Sequence, residues 1–121
     1  LLIADRTGTN SIGIDSKAKS MAIKADSKIE IQTKGGHKVI IDDQGSSIEV
    51  SSGGNSVKIN GTQNSISIES VSQLTLKAQQ IQIEGTTVSI KGQASMEIEG
   101  ASTTLKGNAM LTLQGGLVKI N

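Results

Sequence analysis

The sequence predicts an all-β fold, an intertwined trimeric three-stranded β-helix in which three copies of the chain build a triangular prism. Three observations lead to this prediction. Pairs of apolar residues separated by one polar residue recur along the chain, glycines recur between the pairs, and the composition contains no Phe, Tyr or Trp. A periodic repeat decides the architecture, because each unit is too small to bury its apolar face without neighbours.

The repeat is clearest between residues 85 and 121, where the glycines are spaced alternately by seven and eight residues. These glycines are Gly85, Gly92, Gly100, Gly107 and Gly115. The pairs that follow them are Val88/Ile90, Met96/Ile98, Thr103/Leu105, Leu111/Leu113 and Val118/Ile120. Residues i and i+2 of a strand share one face, so each unit is predicted to be a short strand with one buried side. We expect each glycine to turn the chain by adopting a positive φ.

The same pattern, with longer loops, fills residues 21 to 84. The pairs there are Met21/Ile23, Ile29/Ile31, Val39/Ile41, Ile48/Val50, Val57/Ile59, Ile66/Ile68, Leu74/Leu76 and Ile81/Ile83. No window carries the spacing of an amphipathic helix. We therefore predict a repetitive β-helix needle over residues 21–121. Residues 1–20 are predicted to connect it to a larger hub region, since the first residue is Leu1 and a longer polypeptide is expected.

A homotrimer explains the repeat better than a solenoid formed by one chain. The repeat length varies, and a single-chain coil of three units would need similar corners at every third repeat. In a trimer, each level is built from three copies of the same residue, and three aromatic rings would not fit around one axis. The pairs from Ile48/Val50 to Leu111/Leu113 are the predicted trimer interior. Thr103 is the polar member of this set, and three copies of its hydroxyl would need to hydrogen-bond to each other or to water.

Composition and charge exclude several functions. The net charge of +1 supplies no basic field for nucleic acid, and the charges of alternating sign are typical of a solvated surface. No cysteine is present, and no apolar run is long enough for a signal peptide or a membrane span.

No catalytic constellation, cofactor site or metal site is predicted, so the chain is not expected to be an enzyme. His37 is the single histidine and follows a Gly-Gly turn. We favour a structural or solvent-exposed role for it over a role as a ligand on the trimer axis. Asp42 and Asp43 are adjacent and point to opposite faces of a strand, so turn capping is favoured over acid–base work.

One short segment of the sequence resembles a known family. The run Gly35-Gly36-His37-Lys38-Val39-Ile40-Ile41-Asp42-Asp43 is similar to the segment that opens the β-helix in spike proteins of contractile injection systems. Together with the following pairs, residues 21–121 resemble the C-terminal needle of valine-glycine repeat proteins and of tailed-phage central spikes. The extracellular contractile injection spikes are the most similar group.

This resemblance implies a structural spike that pierces a target cell envelope when the sheath contracts. It implies a homotrimer at the tip of a virion tail or injection particle, assembled in the cytoplasm, joined through an N-terminal region to the baseplate hub and tail tube. A PAAR-type protein caps the blunt end in many members. This chain departs from some relatives, since it has no His-x-His pair for a metal tip and no lysozyme domain.

The C-terminal end is the predicted partner-binding surface. In threefold copy it would form a flat apolar platform with unpaired strand ends, built from Leu117, Val118, Lys119, Ile120 and Asn121. Two alternatives stay open at this point. One is a single-chain β-solenoid acting as an adhesin or ice-binding module, and the other is a functional amyloid subunit.

Overall fold

In the computed structural model, which describes every residue from Leu1 to Asn121, the chain is all-β and contains no helix. The strands are β1 (Leu2–Ala4), β2 (Ser11–Asp15), β3 (Ser20–Lys24), β4 (Lys28–Gln32), β5 (Lys38–Asp42), β6 (Ser47–Ser52), β7 (Asn55–Asn60) and β8 (Ser65–Glu69). The all-β prediction is confirmed, and β3 to β8 each contain a predicted apolar pair. The chain divides into two compact units, an N-terminal unit (Leu1–Ala78) and a C-terminal unit (Gln79–Asn121).

The N-terminal unit contains two open antiparallel sheets in which every strand pairs with its neighbour in sequence. One sheet has the order β1-β2-β3, and the other has the order β4-β5-β6-β7-β8. Residues 1–20, predicted as a connecting segment, contain β1 and β2, of which β1 pairs with β2 and β2 also pairs with β3. Short connections explain this meander, because antiparallel strands can be joined by tight turns whereas parallel strands need long crossovers.

One face of the five-stranded sheet carries two rows of apolar side chains. Residues directly opposite each other in an antiparallel ladder point to the same side, so the register places the predicted pairs in line across the sheet. The first row is Ile29, Ile41, Ile48, Ile59 and Ile66, and the second is Ile31, Val39, Val50, Val57 and Ile68. We call these two rows the apolar face.

Three of the turns follow one rule. In each, an Asp or Asn ends the strand, its Oδ1 accepts one or two backbone N–H bonds of 3.0 Å from the turn, and the fourth residue beyond it has a positive φ. The capping residues are Asp15, Asp42 and Asn60, and the left-handed residues are Lys19 (φ 53°), Ser46 (φ 48°) and Asn64 (φ 52°). Turn capping by Asp42 is therefore confirmed.

Glycine turns close the opposite end of the five-stranded sheet. Gly36, with a φ of 84°, lies between β4 and β5, and Gly53, with a φ of 59°, lies between β6 and β7. Beyond β8 the chain returns to this end, where the Val71 N–H donates to Asn55 Oδ1 at 3.1 Å. The side chain of Val71 covers Gly54 so closely that a Cβ added there would lie 2.5 Å from Val71 Cγ1.

The C-terminal unit is a series of segments separated by bends, and it contains no strand pairing. The bends fall at residues 86–87, 93–94, 101–102, 108–109 and 116–117, in each case the two residues that follow a glycine of the repeat. The positions of the corners are thus as the sequence predicted. The last backbone-to-backbone hydrogen bonds along the chain belong to the β7–β8 ladder, so this unit makes none of its own.

The expected cause of these corners is wrong. None of the five glycines from Gly85 to Gly115 has a φ in the left-handed region. Glycine is needed at these corners because a Cβ would have little or no space, and the space differs between the corners. A Cβ at Gly92 would overlap the carbonyl oxygen of Ser95, and one at Gly107 would overlap that of Met110. At Gly85, Gly100 and Gly115 the corresponding carbonyl oxygen would be 3.3 Å away. The corners therefore alternate between a tight and an open type.

No side chain is fully buried in the chain. Every large aliphatic residue of the C-terminal unit is more than half exposed, and the accessible surface totals 11628 Å². A compact monomer of this mass would expose about 6,200 Å². The chain alone therefore has no hydrophobic core.

Candidate functional surfaces

The apolar face of the five-stranded sheet is the first surface that can bind another molecule. The structure brings six of the predicted interior residues together on it: Ile48, Val50, Val57, Ile59, Ile66 and Ile68. Their exposed fractions run from 41% for Ile59 to 70% for Ile66. Fully burying such a side chain contributes about 1.5–3 kcal/mol, so covering this face would stabilise the sheet substantially.

A broad groove of about 700 Å³ lies over the second row of the apolar face. Its floor is formed by Val39, Val50, Val57 and Ile68, and the chain beyond β8 contributes Leu74. Polar side chains stand at one end of the groove. The groove is an apolar concavity that the N-terminal unit offers to a further polypeptide.

The predicted interior residues of the C-terminal unit are not brought together within one chain. They are Ile81, Ile83, Val88, Ile90, Met96, Ile98, Thr103, Leu105, Leu111 and Leu113, and all are exposed. Leu74 and Leu76, at the end of the N-terminal unit, are also exposed. A trimer interior for these residues stays a prediction, as does the hydrogen bonding of Thr103 to its own copies.

The unpaired backbone of the C-terminal unit is a second feature with a physical consequence. Its N–H and C=O groups have no partner in the chain, and its apolar side chains have no cover. Ordering each residue costs about 1–2 kcal/mol of backbone entropy, which neither hydrogen bonds nor burial offset here. Such a stretch can be held in one conformation by pairing with another chain, since rows of unpaired backbone groups are templates for strand addition.

The five residues predicted to bind a partner at the C-terminus are all exposed. Leu117 lies in the last bend, and its exposed fraction is 86%, with 83% for Ile120 and 51% for Val118. Lys119 and Asn121 are also exposed. A platform requires several copies of this end, so its existence stays a prediction.

The polar residues that the sequence singled out have structural partners. His37 is exposed, and its Nδ1 lies 2.6 Å from Ser52 Oγ, which ties the β4–β5 turn to the end of β6. The backbone carbonyl oxygen of Asp43 accepts a hydrogen bond from the Ser46 N–H at 3.1 Å in the turn between β5 and β6. No group of three or more His, Asp or Glu side chains is arranged to hold a metal ion.

The β1–β2 turn is organised by one carboxylate. Asp5 Oδ2 accepts from Asn10 Nδ2 at 2.7 Å and from the Thr7 hydroxyl at 2.9 Å. The hydrogen bond from the Asn10 side chain is the largest cause that lowers the pKa of Asp5 below its ordinary value. Asn10 Oδ1 in turn accepts from the Asp26 N–H at 2.9 Å, which joins this turn to the connection between β3 and β4.

Sequence reasoning predicted turn capping by Asp42 but missed the equivalent Asx-capped turns at Asp15 and Asn60, and it missed the alternating corners. A signal for the turns exists, because an Asp or Asn occurs at the last strand position with a four-residue turn behind it. The tight corners share an extra residue between glycine and apolar pair, as in Gly92 to Met96 compared with Gly85 to Val88.

Comparisons with known proteins identify no family for this chain. No protein-family model matches the sequence, and no curated protein is significantly similar to it. The structure contains no helix that could cross a membrane.

Proposed function

We propose that three copies of the chain form a homotrimeric spike, a structural needle that pierces a target envelope in a contractile injection apparatus. The observation that carries this proposal is the C-terminal unit, in which regularly spaced corners separate segments that lack both backbone partners and a core. Three copies wound around one axis would supply both at once. The resemblance of residues 35–43 to the opening of known spike β-helices supports the choice of this apparatus.

The proposed role is mechanical. In a three-chain prism, backbone bonds would tie each level to the next at about 4.8 Å along the axis. Chains that interlock in this way separate only when many hydrogen bonds break together, so the needle would resist shear during firing. Closing the walls would also remove the lateral sheet edges that otherwise invite aggregation.

The tip is proposed to bind a PAAR-type cap. Three copies of Val118 and Ile120 would present an apolar platform, and the last segment would offer unpaired backbone groups to a partner. The N-terminal end is proposed to lead to a baseplate hub and tail tube. No cofactor and no nucleic acid enters this proposal.

A variant carrying Val118→Asp and Ile120→Asp tests the tip directly. The expected result is a particle of unchanged mass that no longer binds a PAAR-type protein in a pull-down or by calorimetry. Thr112→Asp is the matched control, because it places an Asp at the outward polar position of the preceding segment, outside the tip, and should leave cap binding intact. Equal binding by the double variant and the parent would refute the proposed tip.

A further inference from the structure

The C-terminal unit carries a second periodicity, of charge. The polar residue between an apolar pair and the following corner glycine alternates in sign over four successive segments, at Glu84, Lys91, Glu99 and Lys106, and the fifth segment has the neutral Gln114 there. In the sequence, Lys77 extends the alternation by one more pair towards the N-terminus. The four side chains hold equivalent places, since each is the last outward residue of its segment.

These charges are not satisfied within one chain. All four residues are exposed, and the single ion pair of the structure joins Lys28 to Glu30, far away in sequence. Glu84 Oε2 accepts from Gln82 Nε2 at 3.2 Å, which is the one side-chain hydrogen bond that any of the four makes. Successive charges are separated along the chain by a whole segment and a bend.

The apolar pairs cannot by themselves define how copies of the chain align. Every segment carries a pair of similar size, so sliding one copy by one segment buries nearly the same apolar surface. Strands with weakly specified alignment are prone to slippage. A feature that differs between successive segments is required to select one alignment, and the charge is such a feature.

We propose that Glu84, Lys91, Glu99 and Lys106 form an interchain charge ladder along each wall of the prism, where a segment of one copy lies beside the following segment of the next copy while the three copies stay level around the axis. Neighbouring strands lie about 4.8 Å apart, so equivalent side chains of adjacent segments come into direct contact. Alignment in step places Glu on Glu and Lys on Lys at all four positions. An offset of one segment places Glu beside Lys at the three contacts among these four residues, and an offset of two restores like charges.

The corner types have the same two-segment period as the charges. Glu84 and Glu99 precede the open corners, and Lys91 and Lys106 precede the tight ones at Gly92 and Gly107. The two features are independent, since one concerns backbone space and the other side-chain charge. An offset of one segment therefore brings an open corner of one copy beside a tight corner of the next.

The ladder rests on the proposed trimer and specifies what holds its copies in register. The same charges disfavour the amyloid alternative in its in-register form, because parallel stacking of identical segments would place like charges at every level. The recognised partner is thus a further copy of this chain in a defined alignment.

Introduced cysteines report the alignment, because the natural sequence contains none. Gln82 and Ser89 are neutral outward residues at equivalent positions of successive segments. The offset places residue 82 of one copy opposite residue 89 of the next, within the Cα separation of about 4.4–6.8 Å that a disulfide needs. Oxidation of the chain carrying both Gln82→Cys and Ser89→Cys should yield a disulfide-linked trimer on a denaturing gel.

The single variants Gln82→Cys and Ser89→Cys are the matched controls and should remain monomers on the same gel. Efficient dimers from either single variant would overturn the offset, because they report alignment in step. A double variant that sediments as a trimer but does not cross-link would also overturn it. Failure of the parent to form a trimer would instead refute the proposed function, so the two failures are distinguishable.

Charge variants test whether the ladder causes the alignment. Changing Glu84→Lys and Glu99→Lys leaves four positive charges, and the thermal midpoint of the assembly should fall by about 5 °C or more. The difference in thermal midpoint between this variant and the parent should be smaller in about 1 M salt, where charges are screened beyond about 3 Å. Exchanging all four signs, with Lys91→Glu and Lys106→Glu added, restores alternation and should restore the parent midpoint. Equal midpoints for the parent and the all-lysine variant would overturn the ladder.

Discussion

The two units use the same apolar pairs in opposite ways. In the N-terminal unit, turns reverse the chain, so each strand pairs with its own neighbour and builds a sheet with one apolar face. In the C-terminal unit, corners follow every seventh or eighth residue and no segment pairs with another. The connection between the pairs therefore decides whether a β repeat satisfies its backbone within one chain. The reversing turns of the five-stranded sheet are Asx-capped or contain a glycine with a positive φ, as at Gly36 and Gly53, whereas no corner glycine of the C-terminal unit has a positive φ.

The largest expected effect comes from placing a charge among the apolar pairs of the unpaired unit. Ile98→Asp would put three carboxylates around the proposed axis, where burial of unpaired charge is strongly destabilising. We expect loss of the trimer, with a cost above about 3 kcal/mol per chain. Sedimentation velocity measures the outcome.

The matched control is Glu97→Asp, on the adjacent outward position of the same segment. It should leave the sedimentation coefficient unchanged. If Ile98→Asp were tolerated as well as Glu97→Asp, the two faces of the segment would be equivalent and the predicted interior would be wrong.

The two corner types predict unequal responses to the same substitution. Gly107→Ala places a Cβ against a backbone carbonyl that cannot move without opening the corner, and we expect a loss of about 1–3 kcal/mol. Gly100→Ala, whose nearest carbonyl oxygen would be 3.3 Å away, should cost clearly less. Chemical denaturation of both variants measures the difference. Equal losses would show that the corners do not alternate.

The Asx-capped turns of the N-terminal unit offer a stabilising change. Ser46 has a φ of 48°, a conformation that costs a residue with a Cβ about 1–2 kcal/mol. Ser46→Gly should therefore stabilise the chain by about 1 kcal/mol, seen as a higher denaturation midpoint. Gln44→Gly in the same turn is the control and should not stabilise, since residue 44 has no positive φ.

The smallest expected effect is the pH response of the β1–β2 turn. The lowered pKa of Asp5 means that its hydrogen bonds contribute stability above the ordinary carboxyl pKa, and that this contribution is lost as the pH falls through the lowered value. Asn10→Ala should raise the pKa of Asp5 towards its ordinary value in an NMR titration. Thr9→Ala, which leaves the Asn10 bond in place, should change the pKa less.

Between residues 21 and 69 the sequence predicted the strand positions, because the apolar spacing of two residues is a local property. The strands predicted at the pairs from Leu74/Leu76 to Val118/Ile120 are not formed within one chain. Pairs such as Ile48/Val50 and Val57/Ile59 fall in β6 and β7 and face the same side of the sheet. The pairing of the strands was harder to predict from the sequence, because pairing depends on the geometry of the turns. Lys19 and Ser46 adopt positive φ although neither residue type favours it, so the residue at the left-handed position does not mark these two turns in the sequence.

The candidate surfaces could be predicted only in part from one sequence, because the proposed assembly contains three chains. The pairs from Ile81/Ile83 to Leu111/Leu113 can be recognised as apolar in one sequence, but their neighbours belong to other molecules in the proposed assembly. The cause assigned to the corners was wrong because positive φ and close approach both select glycine. The separations at Gly92 and Gly107 distinguish these causes, and sequence alone does not.

The central claim is that copies of the chain complete one another, and the mass of the particle in solution tests it most directly. Sedimentation equilibrium of the full chain should give a single species of three times the chain mass of 12.5 kDa. A stable monomer would favour a single-chain solenoid, and open-ended fibres would favour an amyloid subunit. Either result would contradict the trimeric needle.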